Sequence, residues 1–232
     1  MKDYQYHIFA PYRVCPLGAH VDHQHGLVTG FAIDKGVDLW FDVREDSLVK
    51  LSSRTFEGDV EFHVNTPSQV KEKHWGDYAR GAKYALRKRF ELSNGIEGVI
   101  QGSLPVGGLS SSAAVLIAYV MAFAKANDIT LQPFEVVKIA SEAEREYIGL
   151  NNGLLDQACI ALGKKDGLFN EFMLDLGHRN HVFILTRYSP ECNLLSLASA
   201  HEEYPIVLAL AEFSNDLFHR RDQLLQIIGC SL

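Results

Sequence analysis

The pattern of apolar and polar positions changes character along the chain. In its first part, short apolar runs bounded by turn residues predict strands near residues 8–14, 28–33, 37–43, 49–53, 60–63 and 98–103. Longer runs predict helices over 75–90, 109–127, 133–147 and 155–162. Residues 109–126 are good helix formers with apolar side chains on nearly every face, so this helix is expected to be buried. Asn94-Gly95 and Lys165-Asp-Gly167 read as turns. Beyond Gly167 the text becomes strand-like again over 169–176, 182–185 and 206–212, with a helix-like stretch at 217–228. Strands first and helices after is an α+β order, not the alternation of a doubly wound sheet. The break near 168 predicts one domain over 1–168 and the start of a second over 169–232.

Composition narrows the class without naming it. The 232 residues suffice for one large domain or one and a half smaller ones. A net charge of −7 argues against a nucleic-acid partner. The opening Met-Lys-Asp-Tyr-Gln-Tyr-His has no apolar core of the signal-peptide kind, and the apolar run at 113–124 is too short to span a bilayer. Cys15, Cys159, Cys192 and Cys230 lie far apart and read as reduced and unliganded. The expectation is a cytoplasmic chain with no membrane partner and no obligate protein partner.

The chemistry concentrates in Gly102-Ser-Leu-Pro-Val-Gly-Gly-Leu-Ser-Ser-Ser-Ala-Ala114. Pro105, Gly107 and Gly108 disfavour regular structure and let the backbone approach a ligand closely. The loop opens onto the buried helix, whose free N–H groups and dipole suit an anion, above all a phosphate. Ser110, Ser111 and Ser112 add hydroxyls for phosphate oxygens or magnesium. The same composition also serves a Gly-rich turn with a serine N-cap. The Gly-Lys-Ser/Thr ending of a Walker A loop is missing.

Two further segments single out a family. They are Ala10-Pro-Tyr-Arg-Val-Cys-Pro-Leu-Gly-Ala-His-Val-Asp-His-Gln-His-Gly26 and Ala143-Glu-Arg-Glu-Tyr-Ile-Gly-Leu-Asn-Asn-Gly-Leu-Leu-Asp-Gln157. With the loop between them, in that order, the chain resembles the GHMP small-molecule kinases and, within these, the galactokinase branch. Trp75-Gly-Asp-Tyr-Ala-Arg-Gly81 is similar to a fourth family segment. The resemblance implies a GHMP-kinase N-terminal domain, a ribosomal-protein-S5-like mixed sheet with helices, followed by an incomplete C-terminal α+β domain. It also implies phosphoryl transfer from ATP, with Mg2+, to a sugar hydroxyl at C1.

By that resemblance the Pro105–Ser112 loop cradles the phosphates and Trp75 sits beside the adenine ring. Ser112 and Glu144 hold magnesium; Glu142 and Glu146 share the helix but lack the spacing. Asp156 is the base and Arg13 stabilises it and the acceptor oxygen. Without the resemblance, Asp156 reads as a helix N-cap, Arg13 as a structural residue at a strand end, Glu144 as part of a solvated face and Trp75 as core. His20, Asp22 and Gly153 belong to the sugar pocket, with His23 and His25 shaping its loop. Three imidazoles and a carboxylate in His20-Val-Asp-His-Gln-His25 also suggest zinc, but adjacent ligands on one segment rarely close a tetrahedral site.

One departure bears on the substrate. Galactokinases carry Glu before the signature His, at the C6 hydroxyl, where this chain has Ala19. Two like charges about 4 Å apart repel by roughly 4 kcal/mol at an effective dielectric near 20. A Glu would exclude a C6 carboxylate that Ala admits. The wording of the first segment resembles the galacturonokinases, which implies D-galacturonic acid as substrate. The sequence identifies no cation for the carboxylate; Arg80 is a candidate only at a place where the family often has Lys in any case. A neutral-sugar kinase of the galactokinase type and a non-catalytic nucleotide- or sugar-binding remnant stay open. The second is kept open by the family's third motif, a late Gly-rich loop, which has no counterpart: after Gly177 the only glycine is Gly229. The expectation there is a C-terminally truncated chain, poorly soluble or oligomeric and with little activity.

Overall fold

Strand β2, Val28–Arg44, is the spine of the fold, because three other strands pair along it. The computed structural model describes residues 2–17, 22, 28–67, 71–104, 108–163, 172–175 and 181–184. The chain divides into two units, 1–188 and 189–232, and the second lies outside the described residues, as do the strand expected at 206–212 and the helix-like 217–228.

Antiparallel to β2 run β1 (Tyr6–Leu17) on one side and β5 (Gly95–Gly102) on the other. Strand β3 (Leu48–Ser53) pairs parallel with β5, and β4 (Val60–His63) antiparallel with β3. Strands β6 (Phe172–Asp175) and β7 (His181–Ile184) complete a seven-stranded mixed sheet, β7 lying parallel to the start of β2. The helices are α1 (Asp77–Arg87), α2 (Ser111–Ala126), α3 (Pro133–Glu142) and α4 (Leu155–Leu162).

Helix α2 is the centre of the core. Ala113, Ala114, Leu116, Ala118, Tyr119, Val120, Ala122 and Phe123 are all fully buried on it, as its apolar faces require. They pack with Leu39 and Phe41 of β2, Ile96 of β5 and Leu86 of α1. Among the described residues no helix is long and apolar enough to cross a membrane.

Two departures from the sequence expectation have physical causes. Asp34-Lys-Gly36 looks like a break between two strands, yet β2 is continuous through it. Pro11 pairs with Gly36 and Arg13 with Ala32, so Tyr12 alone faces Ile33, Asp34 and Lys35. The polar residues are accommodated as a bulge. A Cβ on Gly36 would sit 2.2 Å from the Ala10 carbonyl oxygen, which is why glycine occupies the point of close approach. The second departure is at 133–147, where α3 ends at Glu142 and a π turn follows over Ala143–Ile148. The Gly149 N–H donates to the Glu144 carbonyl at 2.9 Å, five residues back, and Gly149 closes the turn at φ 85.

Candidate functional site

The β1–β2 bulge separates two neighbouring side chains of β1. Tyr12 is buried and lines a cavity, whereas Arg13 reaches across to α4. The Arg13 backbone N–H also donates to the Leu109 carbonyl at 3.3 Å, and its Nη1 to the Gly108 carbonyl at 3.3 Å. The strand is thereby tied to the segment just before α2.

The Asp156 carboxylate is held at both oxygens. Arg13 Nε donates to Oδ1 at 2.7 Å and Ser110 Oγ to Oδ2 at 2.5 Å. Arg13 and Asp156 are 14% and 17% exposed, so the pair is shielded yet reachable. Asp156 does not cap its own helix, because the N-cap of α4 is Leu154. The α4 N-terminus is instead served by Asp22, whose Oδ2 accepts the Leu155 N–H at 3.2 Å. Gly153 makes room for that contact: a Cβ there would lie 2.1 Å from the Asp22 Cγ. Gly153→Ala is therefore expected to push Asp22 off the Leu155 amide. Overpacking of this kind costs about 1–3 kcal/mol, a melting-temperature loss of about 2–4 °C per kcal/mol, which a thermal melt reads directly.

A second carboxylate lies near the first. Glu144 sits in the π turn and is 1% exposed. Its Oε1 accepts from Ser112 Oγ at 3.1 Å and its Oε2 from Gln157 Nε2 at 2.5 Å, with Asn152 a third neutral donor. Burial, and to a smaller degree the charge of Asp156, hold its proton affinity above the usual carboxylate range. Glu142 and Glu146 are paired with cations instead, both with Lys88 and Glu142 also with Arg89. Among the three, Glu144 alone has no cation as partner among the described residues.

The buried Glu144 has only neutral partners among the described residues, and a second carboxylate raises its proton affinity. That donor set fits a divalent cation, which magnesium sites typically complete with one or two carboxylates plus substrate phosphates and water. Among the described residues no group of three or more His, Cys, Asp or Glu is placed to hold a metal by itself.

Beside this pair opens a cavity of about 850 Å³, within the usual range for small-molecule sites. Ser111 and Ser112 bring the N-terminus of α2 to its wall, and Trp75, Tyr78, Tyr119 and Ile148 make it largely apolar. The Trp75 indole N–H donates to the carbonyls of Glu57 and Gly58 at 3.2 Å, which fixes the ring as part of the wall.

Pro105, Gly107, Ala19, His20, His23 and His25 lie outside the described residues, as do Cys192 and Cys230; Cys15 and Cys159 are in no disulfide among the described residues. The structure brings Arg13, Ser110, Ser112, Glu144, Gly153, Asp22 and Asp156 into one linked cluster. Arg80 is buried and paired with Asp77 at 3.2 Å and Glu72 at 2.9 Å. Sequence reasoning missed Gln157, which closes the second quoted segment without a role assigned to it there. It also missed Lys71 and Lys73 on the cavity wall, since a mixed Lys-Glu-Lys run carries no signal of enclosure.

Residues 77–164 match the family described as GHMP kinases N terminal domain. Galacturonokinase of Arabidopsis thaliana is 46% identical over 174 residues, a match covering 67% of this chain and 41% of that protein. Galactokinase of Limosilactobacillus fermentum is 33% identical over 172 residues, covering 72% of this chain and 44% of that protein. The solved structure of Lactococcus lactis galactokinase complexed with galactose aligns with a TM-score of 0.64 at 31% identity, covering 67% of this chain and 41% of that one. The chain thus covers less than half the length of each of these three proteins.

Proposed function

We propose that this chain, which belongs to the GHMP kinases through their N-terminal domain, forms the catalytic part of an ATP-dependent sugar-1-kinase acting on D-galacturonic acid. The observation that carries the reading is the cluster around Asp156: a shielded carboxylate gripped by a guanidinium, beside a buried carboxylate that has only neutral donors, at the head of a helix N-terminus.

In this reading each group has one task. The N-terminus of α2, with Gly107, Gly108, Ser111 and Ser112, receives the phosphates, and Trp75 flanks the base in the cavity. Ser112 and Glu144 hold the magnesium ion, which neutralises charge on the phosphates when bound. Asp156 takes the proton from the sugar's C1 hydroxyl, and Arg13 holds that carboxylate in its orientation. His20, Asp22 and Gly153 form the sugar side. Nucleotide and sugar handling both fall within 1–168; of the stretch 169–232 read as the start of a further domain, β6 and β7 add to the sheet of the first unit.

Ala19 and the Arabidopsis relative support the uronic acid over a neutral sugar. The kcat/KM for D-galacturonate is expected to exceed that for D-galactose. Ala19→Glu is expected to lower the galacturonate value by about 10²–10³-fold through repulsion of the carboxylate. Competing-substrate kinetics check both. A higher kcat/KM for galactose would favour the galactokinase reading, and nucleotide binding without turnover would favour a binding remnant.

A further inference from the structure

Helix α2 opens with three consecutive serines, and each has different surroundings. Ser111 and Ser112 line the cavity, and Ser112 also donates to Glu144. Ser110 is not on the cavity wall; its Oγ donates to Asp156 Oδ2. We propose that Ser110 is a positioning residue for the Asp156 carboxylate and not a ligand of the nucleotide. The proposal rests on the reading of Asp156 as the base.

Two independent features support it. The first is the backbone. Ser110 is the N-cap of α2, yet it adopts the left-handed conformation at φ 57 and ψ 44 and makes no side-chain cap bond. An N-cap serine ordinarily has extended backbone and turns its hydroxyl onto the helix's own first-turn N–H groups. The left-handed turn, uncommon for a residue with a side chain, goes with a hydroxyl directed away from those N–H groups and onto Asp156. The first-turn N–H groups of α2 are left uncapped for an anion.

The second is proton count. A serine hydroxyl has one proton to donate. Ser110 commits it to Asp156 Oδ2, so it has none left for a phosphate oxygen, which can only accept. With Arg13 Nε on Oδ1 and Ser110 Oγ on Oδ2, rotation of the carboxylate is blocked from both sides. The helix that receives the nucleotide is thereby bonded directly to the group that faces the sugar.

Ser110→Gly and Ser110→Ala separate the hydroxyl from the backbone, since glycine accepts the left-handed conformation and alanine does not. In the full chain, Ser110→Gly is expected to leave the Kd for Mg-ADP, read by Trp75 fluorescence, within about twofold, whereas Ser112→Ala weakens it at least about tenfold. Sugar-dependent ADP formation by Ser110→Gly is expected to show kcat lowered roughly ten- to a hundredfold with the KM for ATP unchanged. In a double-mutant cycle of Ser110→Gly with Asp156→Ala, the urea midpoint should fall by less than the sum of the single losses. A tenfold loss of nucleotide affinity in Ser110→Gly, or strictly additive midpoints, overturns the proposal. Absence of turnover in the unmutated chain counts against the kinase reading instead, and the affinity and cycle measurements still decide the role of Ser110.

Discussion

Asp156→Asn is expected to lower kcat for sugar-dependent ADP formation by about 10²–10⁴-fold, the range that general-base catalysis contributes. Nucleotide affinity should stay within about threefold, because the change removes a proton acceptor and leaves the phosphate cradle intact. The substitution is nearly isosteric. The asparagine carbonyl oxygen can still accept from Arg13 Nε, and the Ser110 hydroxyl can turn to accept from the new amide. Thermal melts of the two proteins should therefore nearly coincide, which separates lost chemistry from lost structure. Initial-rate kinetics together with an equilibrium nucleotide titration make the test. Activity within about tenfold of the unmutated protein would exclude Asp156 as the base.

Glu144→Gln carries the second large effect, and its two readouts move in opposite directions. Without ligand, the variant is expected to be more stable than the unmutated protein at neutral pH. Burial raises the folded-state pKa of Glu144 above its ordinary value of 4.5. Below that ordinary value the carboxyl is protonated in both folded and unfolded chains and exerts no differential effect. As pH rises through it, the unfolded chain releases its proton first, so stability falls until the folded carboxyl has ionised as well. Glutamine carries no such penalty, so this falling limb should vanish from a plot of melting temperature against pH. With Mg-nucleotide present the order reverses, because the variant lacks the anionic ligand. Its Mg-ATP affinity is expected to drop by about 10–100-fold, as loss of a metal-site carboxylate or its support commonly does. Melts with and without Mg-ADP from pH 4 to 8 read both effects; an unchanged shift on adding Mg-ADP would remove Glu144 from the metal site.

Much of the architecture was legible in the sequence because it follows from local pattern. Strand β4 and helix α4 lie at the expected residues, 60–63 and 155–162, and α2 differs from expectation by two residues at its start and one at its end. The all-round apolar character of α2 required burial in the centre of the fold, and that is where it lies. Local pattern misled where a feature depends on a partner strand or on hydrogen-bond phase. Asp34-Lys-Gly36 has turn chemistry, but pairing with Ala10 and Pro11 absorbs it as a bulge. Ala143–Ile148 has the periodicity of an ordinary helix, and nothing in its side chains announces a shift from four-residue to five-residue hydrogen bonding.

The candidate site divides along the same line. The resemblance of contiguous segments to a family's motifs singled out Arg13, Ser112, Glu144, Gly153 and Asp156 before any geometry, whereas residue type alone left Asp156 a helix cap, Arg13 a strand-end residue and Glu144 a solvated one. What pairs with what is decided across 143 residues in the case of Arg13 and Asp156, and no local pattern encodes such a distance. The three serines show this most plainly. In the sequence they are equivalent; in the fold, the left-handed backbone at Ser110 sends one hydroxyl to Asp156, while the first turn of α2 carries the other two to the cavity. The sequence by itself determined which chemical groups are present and that a buried helix begins at them. Only the tertiary structure decided the direction of each group, because direction depends on backbone dihedrals and on partners brought in from β1, the π turn and α4.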